Sequence, residues 1–339
     1  MTSSTDLRFF TAQDADPHAL DGERVAVIGF GNLGRAVAFN LRDAGLAPLV
    51  IGNIADEYAE QARGDQFQVL PIGEAVSGAD IALILLPDEV QPEVFEADIA
   101  PNLRAGSAIL FASGYNLAYG LVRPPAGVDV LLLAPRMGGE LIRERFLNKQ
   151  GYIAYISVEQ DASGKAWKRL LGMARAVGVL YAGALELDAK READLDLLVE
   201  QTLGAAVGVA IMSAFTLGEE AGIPLEAMVL EMYMDGEMET VFRTFKEKGF
   251  YPASYTHGPT AMYGGYVRTM QLMQSDLIAK FRETMEEIRS GGFAQQFQAE
   301  RSAGYPGLTM AEQMATGDNP FVKPIFDAEA RVRSMLKIS

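Results

Sequence analysis

Four carboxylates in the second half of the chain have the types and spacing of a metal site: Asp196 with Glu200, and Glu231 with Asp235. Each pair is spaced i, i+4 inside a strongly apolar helical pattern, which puts both carboxylates on one helix face. No Lys or Arg follows either pair within a turn. Two like charges about 4 Å apart repel by about 4 kcal/mol at an effective dielectric of roughly 20. A positive group is therefore expected beside them, and a hard divalent cation suits an all-oxygen ligand set. The plainer alternative is a pair of solvated helix faces.

A second constellation lies near the start of the chain. VAVIGFGNLGRAV carries Gly29, Gly31 and Gly34 in GxGxxG spacing, with Phe30, Asn32 and Leu33 between them. It follows a strand pattern and opens a helix pattern, the context in which such glycines cradle a dinucleotide pyrophosphate on a helix N-terminus. The next strand ends in IGNIADEYAE. A 2′-phosphate needs a base there. Asn53, Asp56 and Glu57 offer none, and acids can accept from free ribose hydroxyls, so NAD(H) is expected over NADP(H). Alternatively these acids only cap the following helix.

The elements that must position these groups fall into two halves. Strand patterns at 24–28, 48–51, 81–86, 108–111, 128–133 and 152–157 alternate with helical patterns. That rhythm predicts an α/β fold with a doubly wound parallel sheet over residues 1–184. From 185 to 339 strand signals vanish and amphipathic helices rich in Met, Leu and Ala predict an all-helical domain of metal, substrate and subunit contacts. Small residues at 204–210 (GAAVGVA) suit close helix approach. The methionines of MVLEMYMDGEMET read as packing.

Composition narrows the function classes. With 49% hydrophobic residues over 339 positions the chain can build a large core. Its 45 acids against 29 bases give a formal charge of −16, which argues against nucleic acid or an anionic membrane as partner. Without Cys there is no thiolate chemistry, and two His, His18 and His257, rule out a histidine-rich metal site within one chain. The start MTSSTDLRFF has no signal-peptide pattern, and the longest apolar runs end in Pro, as in IALILLP and VLLLAP. A cytoplasmic enzyme is the expectation.

Several segments resemble class I ketol-acid reductoisomerases over nearly the full length: FNLRDAG (39–45), LLPDEVQ (85–91), PNLRAGSAILFASGYN (101–116), RPPAGVDVLLLAPR (123–136), QDASG (160–164), DLLVEQ (196–201) and PTAMYGG (259–265). The resemblance implies a Rossmann domain, a knotted helical domain, and a homodimer, or a higher assembly built on it, with shared active sites. It implies that Asp196 and Glu200 bind metal with Glu231 and Asp235 of the partner subunit, that two Mg²⁺ are held, and that the substrate is a small hydroxy acid. Asp235 stands where the family usually has Glu. Cofactor contacts are implied at Leu86, Pro87, Asp88, Gln91, Ser113 and Gly138, and substrate contacts at Gly258, Thr260 and Ala261.

Three departures from the family fall in the implied site. FAHGFN reads FASGYN, leaving Ser113 for His. APKGPGH reads APRMGGE, leaving Arg136 for the catalytic Lys and Glu140 for His. SNTAEYG reads GPTAMYG, leaving Gly258 for Ser, with Thr256 or Thr260 as substitutes. Arg cannot share its proton as Lys can, and Ser is no imidazole. Ser113 and Arg136 are nonetheless expected beside the reacting atoms. The changes point to retained metal and hydride chemistry on an altered substrate. The chain is similar to cyclopropanol-forming reductoisomerase-like enzymes acting on a sulfonium dihydroxy acid. The other expectations are an orthodox reductoisomerase of valine and isoleucine synthesis and a non-catalytic dinucleotide sensor.

Overall fold

The computed structural model describes residues 7–253, 258–317, 319, 320 and 322–338. Thr256 and His257 lie outside them. The chain divides into two units, Met1–Asp196 and Leu197–Ser339.

The first unit is built on nine strands: β1 (Phe9–Phe10), β2 (Val25–Ile28), β3 (Leu49–Gly52), β4 (Gln68–Leu70), β5 (Ile81–Ile84), β6 (Ala108–Phe111), β7 (Asp129–Pro135), β8 (Ala154–Gln160) and β9 (Ala184–Glu186). Their order is β1-β9-β8-β7-β6-β5-β2-β3-β4. The run from β4 to β7 is parallel and has the doubly wound order, reversing between β2 and β5. The expected parallel sheet needs one amendment. β8 pairs antiparallel to β7, β9 parallel to β8, and β1 antiparallel to β9.

The central strands are apolar on both faces because both faces are covered. Val25, Val27, Leu83, Leu110, Leu131 and Leu133 pack under α1 (Asn32–Asp43) on one side. Ala26, Ile28, Ile84, Ile109, Phe111 and Leu132 form the core of the other. Short helices α2 (Glu57–Gly64), α3 (Ile72–Gly78), α4 (Gln91–Val94) and α5 (Tyr115–Ala118) follow successive strands. α6 (Gly139–Leu147), α7 (Ala166–Ala176) and α8 (Ala189–Leu198) complete the unit. Full burial of each large aliphatic side chain contributes about 2 kcal/mol.

One buried ionic cluster ties the amino ends of these strands together. Arg169 donates to Glu23 Oε1 (3.1 Å), Asp129 Oδ2 (3.0 Å) and the Gly106 carbonyl (2.7 Å). Asp129 is fully buried and also accepts from the Ala162 and Ser163 backbone.

In the second unit, α8 runs on through a π-helical turn, Val199–Gly204, into α9 (Ala205–Glu220). α10 (Leu225–Val229) leads through another π turn, Leu230–Met234, to α11 (Glu237–Lys248) and α12 (Phe250–Ala253). α13 (Pro259–Met273), α14 (Leu277–Ser290), α15 (Gly292–Ser302), α16 (Pro306–Met314) and α17 (Lys323–Leu336) follow. The core here is small: Phe215, Met228, Val229, Ala328 and Val332. Val209, Met212 and Leu217 of α9 are more than 60% exposed. The helical run Ala189–Glu220 is long and apolar enough to cross a membrane by length and composition, with only 6% of its most apolar window buried. A helix apolar all round requires a covering surface, which a second protein chain supplies as well as lipid does.

Replacing Arg169 by Met should leave Asp129 and Glu23 without their cation and lower unfolding free energy by about 3–5 kcal/mol. Urea unfolding at pH 7 measures this; a loss under about 1 kcal/mol would show the cluster to be dispensable.

Candidate active site

The loops at the carboxyl ends of β2, β3, β5, β6 and β7 open at one edge of the sheet, the edge where doubly wound folds bind ligands. Gly29 has φ +95°, and a Cβ there would lie 2.8 Å from the Leu85 carbonyl oxygen. A Cβ on Gly34 would lie 2.1 Å from the Gly29 carbonyl oxygen, so only glycine lets α1 begin this close to β2. Around Gly31 an added Cβ meets nothing, which leaves the backbone open to a ligand. α1 starts at Asn32 with no side chain capping it, so its first N–H groups are available to a phosphate. Asn32 in turn packs on Gly139, where a Cβ would meet its carbonyl oxygen at 2.2 Å, and Gly138 caps α6.

At the end of β3, Asn53 is buried. Its Oδ1 accepts from Phe30 N (3.3 Å) and its Nδ2 donates to Asp56 Oδ1 (2.7 Å). Asp56 is the N-cap of α2, accepting from Ala59 N at 2.9 Å. Asp56 thus does what the capping alternative expected. Glu57, in the first turn, is exposed.

The loop after β5 meets the loop after β6 through a polar network. Ser113 Oγ donates to Asp88 Oδ2 (3.2 Å) and accepts from Tyr115 N (3.2 Å). Asn116 Nδ2 donates to Asp88 Oδ1 (3.0 Å), the Asp88 carbonyl (3.0 Å) and Gln91 Oε1 (3.1 Å); Gln91 Nε2 donates to the Leu86 carbonyl (2.8 Å). Burial, opposed by the Ser113 hydrogen bond and assisted by the charge of Glu192, pushes the Asp88 carboxyl up to about 6. The Tyr115 hydroxyl is buried and has no hydrogen-bond partner; burial and Asp88 push it up to about 12.

Arg136, just after β7, is held on three sides. Its Nη1 donates to Glu192 Oε1 at 2.7 Å, its Nη2 donates to Asp196 Oδ1, and its guanidinium lies 5.2 Å from the centre of the Tyr155 ring. Glu192 is 2% exposed, and burial raises its pKa against the pull of Arg136 and of the Gly114 N–H, which donates at 2.7 Å. A Cβ on Gly114 would lie 2.2 Å from the Ala189 carbonyl oxygen, so glycine permits this contact.

Glu192 was not among the residues expected from sequence. The signal was present: it stands four residues before Asp196, extending the same i, i+4 ladder. The positive partner expected beside the first pair is supplied, for Asp196, by Arg136. The acidic pairs are also less regular than simple α-helical spacing implies. Glu200 and Glu231 each lie in a π turn, a feature frequent at functional sites. Asp235 lies past the end of its turn, where its Oδ1 accepts from Glu237 N at 2.8 Å. Glu200, Glu231 and Asp235 are exposed. Glu140 sits in the first turn of α6, where a negative charge complements the helix dipole. Gly258 caps α13, with Thr260 and Ala261 exposed in its first turn. A cleft of about 450 Å³ lies at the opposite, amino end of β2 and β3, between Gly22, Asp43, Leu46 and Arg175. It contains none of the expected site residues.

A glycine-rich dinucleotide cradle at a doubly wound switch point, followed by a helical unit, defines a nicotinamide-dependent oxidoreductase. The chain matches the family models described as acetohydroxy acid isomeroreductase, NADPH-binding domain, over 19–183, and ketol-acid reductoisomerase, C-terminal domain, over 189–338. It is 38% identical over 324 residues to a putative ketol-acid reductoisomerase 3 of Saccharolobus solfataricus, spanning 92% of this chain and 97% of that one. It is 35% identical over 302 residues to a ketol-acid reductoisomerase (NADP(+)) of Pyrobaculum neutrophilum, spanning 89% and 92%. Among solved structures, an NADH-preferring ketol-acid reductoisomerase from an uncultured archean superposes with TM-score 0.88 at 30% identity, covering 97% of this chain and 99% of that one. The chain belongs to the ketol-acid reductoisomerase family and is an NAD(P)-dependent oxidoreductase/isomerase. A non-catalytic sensor is no longer the reading.

Two outcomes follow from the Asp88 network. With Asp88 raised to about 6, the folded chain keeps a proton that the unfolded chain loses near pH 4. Stability should therefore fall as pH rises from about 4 to about 6, and Asp88→Asn should flatten that fall; thermal unfolding across this window checks both. Tyr115→Phe removes a buried hydroxyl that has no partner and should raise unfolding free energy by up to about 1 kcal/mol. A loss of stability would instead reveal a partner held by the hydroxyl.

Proposed function

We propose that this chain is a remodelled reductoisomerase of specialised metabolism. It uses NAD(H) and Mg²⁺ on a small 2,3-dihydroxy or 2-keto-3-hydroxy acid, in the cytoplasm, as a homodimer with shared active sites. The observation that carries the remodelling is Arg136. A permanently charged guanidinium, fixed between Glu192 and Asp196, stands where the family has a proton-sharing Lys.

The residues fit the cofactors this reading requires. Gly29, Gly31 and Gly34 leave the space a pyrophosphate needs, and Glu57, exposed beside the β3 terminus, disfavours a 2′-phosphate. Asp196, Glu200, Glu231 and Asp235 are hard oxygen donors. Among the described residues, no cluster of three or more potential ligands forms within one chain. The pairs are therefore read as meeting across a subunit boundary, with a second copy also covering the exposed apolar surface of α9. When bound, NAD⁺ and Mg²⁺ supply a hydride acceptor and a Lewis acid. Arg136 orients Asp196 and balances its charge. Ser113 and Asn116 fix Asp88, and Gly258 leaves room where the family places a hydroxyl.

The specific reaction proposed is cyclopropanol formation from a sulfonium dihydroxy acid. Oxidation of the 2-hydroxyl acidifies the neighbouring C–H. The resulting carbon nucleophile closes the ring as the C–S bond breaks, and the ketone is reduced again. One C–C bond forms, a neutral thioether and a proton leave, and no net redox change remains. The second reading, an orthodox conversion of acetolactate to 2,3-dihydroxyisovalerate, is favoured by the relatives named ketol-acid reductoisomerase.

Incubation with catalytic NAD⁺, Mg²⁺ and the sulfonium dihydroxy acid should give ring product and thioether without accumulating NADH. EDTA should abolish turnover, and NAD⁺ should outperform NADP⁺. Rapid NAD(P)H-dependent conversion of acetolactate, with no ring product, would establish the orthodox reading instead.

A further inference from the structure

We infer that Arg136 is a built-in cation occupying the place of one of the two divalent ions implied for the family, so that each active site of this chain takes one divalent cation. The inference rests on the metal-dependent reading above and deepens it.

The Arg136 side chain is committed rather than merely near. One nitrogen, Nη1, is 2.7 Å from Glu192 Oε1, and the Glu192 side chain is 2% exposed. A carboxylate so buried needs its counter-charge, and withdrawing the guanidinium would strand it. Glu192 cannot follow Arg136 outward, because its Oε2 accepts the Gly114 N–H at 2.7 Å. The Tyr155 ring, 5.2 Å from the guanidinium carbon, supports the group from the side. With one arm fixed, the rigid guanidinium plane delivers the other nitrogen, Nη2, to Asp196 Oδ1.

The consequence is a count of lone pairs and charges. A carboxylate bridging two metal ions gives one oxygen to each. Asp196 has given Oδ1 to a group that stays charged throughout the accessible pH range, which leaves Oδ2 for a single ion. A second dication at Oδ1 would also sit against a fixed positive charge, which is repulsive. Lys is different here. Its single nitrogen is a point charge that cannot span both carboxylates with a planar fork, so it can serve Glu192 and release Asp196.

The test is Mn²⁺ stoichiometry on the full-length protein with NADH present, by equilibrium dialysis and electron paramagnetic resonance. The wild type should bind one Mn²⁺ per chain tightly and show the spectrum of isolated ions. Arg136→Lys keeps a cation for Glu192; it should bind two and show a spin-coupled pair. Unchanged NADH affinity would confirm that the variant is folded. Two Mn²⁺ per wild-type chain would overturn the inference whatever the variant does, while leaving metal dependence standing. One per chain in both proteins would overturn the role given to Arg136. No Mn²⁺ binding at all would overturn the metal-dependent reading and this inference with it.

Discussion

The contact on which the site depends is the buried carboxylate of Glu192. It accepts from Gly114 N and from Arg136 Nη1, and so pins three segments at one point: the loop after β6, the end of β7 and helix α8. Neither tie forms without its backbone. Gly114 must lack a Cβ because the Ala189 carbonyl oxygen occupies that space. Arg136 is aligned by its own N–H, bonded to the Ile153 carbonyl at 3.0 Å, which makes it an extension of the β7–β8 pairing. A polar group this buried is costly unless satisfied, and satisfied it fixes geometry. The Asp88 network on the neighbouring loop, whose carboxyl feels the charge of Glu192, is set by the same anchor.

The sheet was largely legible because its central strands obey a strong rule. Ile81–Ile84 and Ala108–Phe111 are buried on both faces, so they read as unbroken apolar runs. The elements missed are those that escape that rule. Gln68–Leu70 and Phe9–Phe10 are edge strands of three and two residues, half exposed, with too few positions for a period to appear. The antiparallel entry of β8 was illegible for another reason. Strand direction depends on the path of the connection, and Gly139–Leu147 with the loop to β8 carries no local mark of whether the chain crosses over or turns back.

The glycine loop was legible residue by residue, since Gly29 and Gly34 answer to steric contacts that no other side chain satisfies. Acid residues are harder to assign because a carboxylate has several occupations. Asp56 caps a helix, and Asp196 pairs with a guanidinium sixty residues away in sequence. Spacing gave the ladder 192–196–200 but not the partner of each rung. That depends on which residue β7 delivers to the same point. Nor could spacing foresee the π turns, because an i, i+4 pattern describes an α-helix and the inserted residue at each π turn leaves no compositional trace.

A chain with formal charge −16 that gathers carboxylates at one site works against its own electrostatics. Each added carboxylate raises the energy of the others unless cations are brought in with it. The fold supplies one such cation covalently, and it does so at Asp196, the rung of the ladder nearest the sheet. Glu200 and Glu231 have no ion-pair partner among the described residues and lie on helices whose apolar residues are exposed. These two deficits, unbalanced charge and uncovered apolar surface, occur in the same stretch, Val199–Met234. Under the proposed function both are relieved together: the second copy that buries α9 also carries the carboxylates needed to enclose a metal ion. Subunit association and metal binding would then be linked equilibria, each strengthening the other, since either alone leaves the other deficit in place.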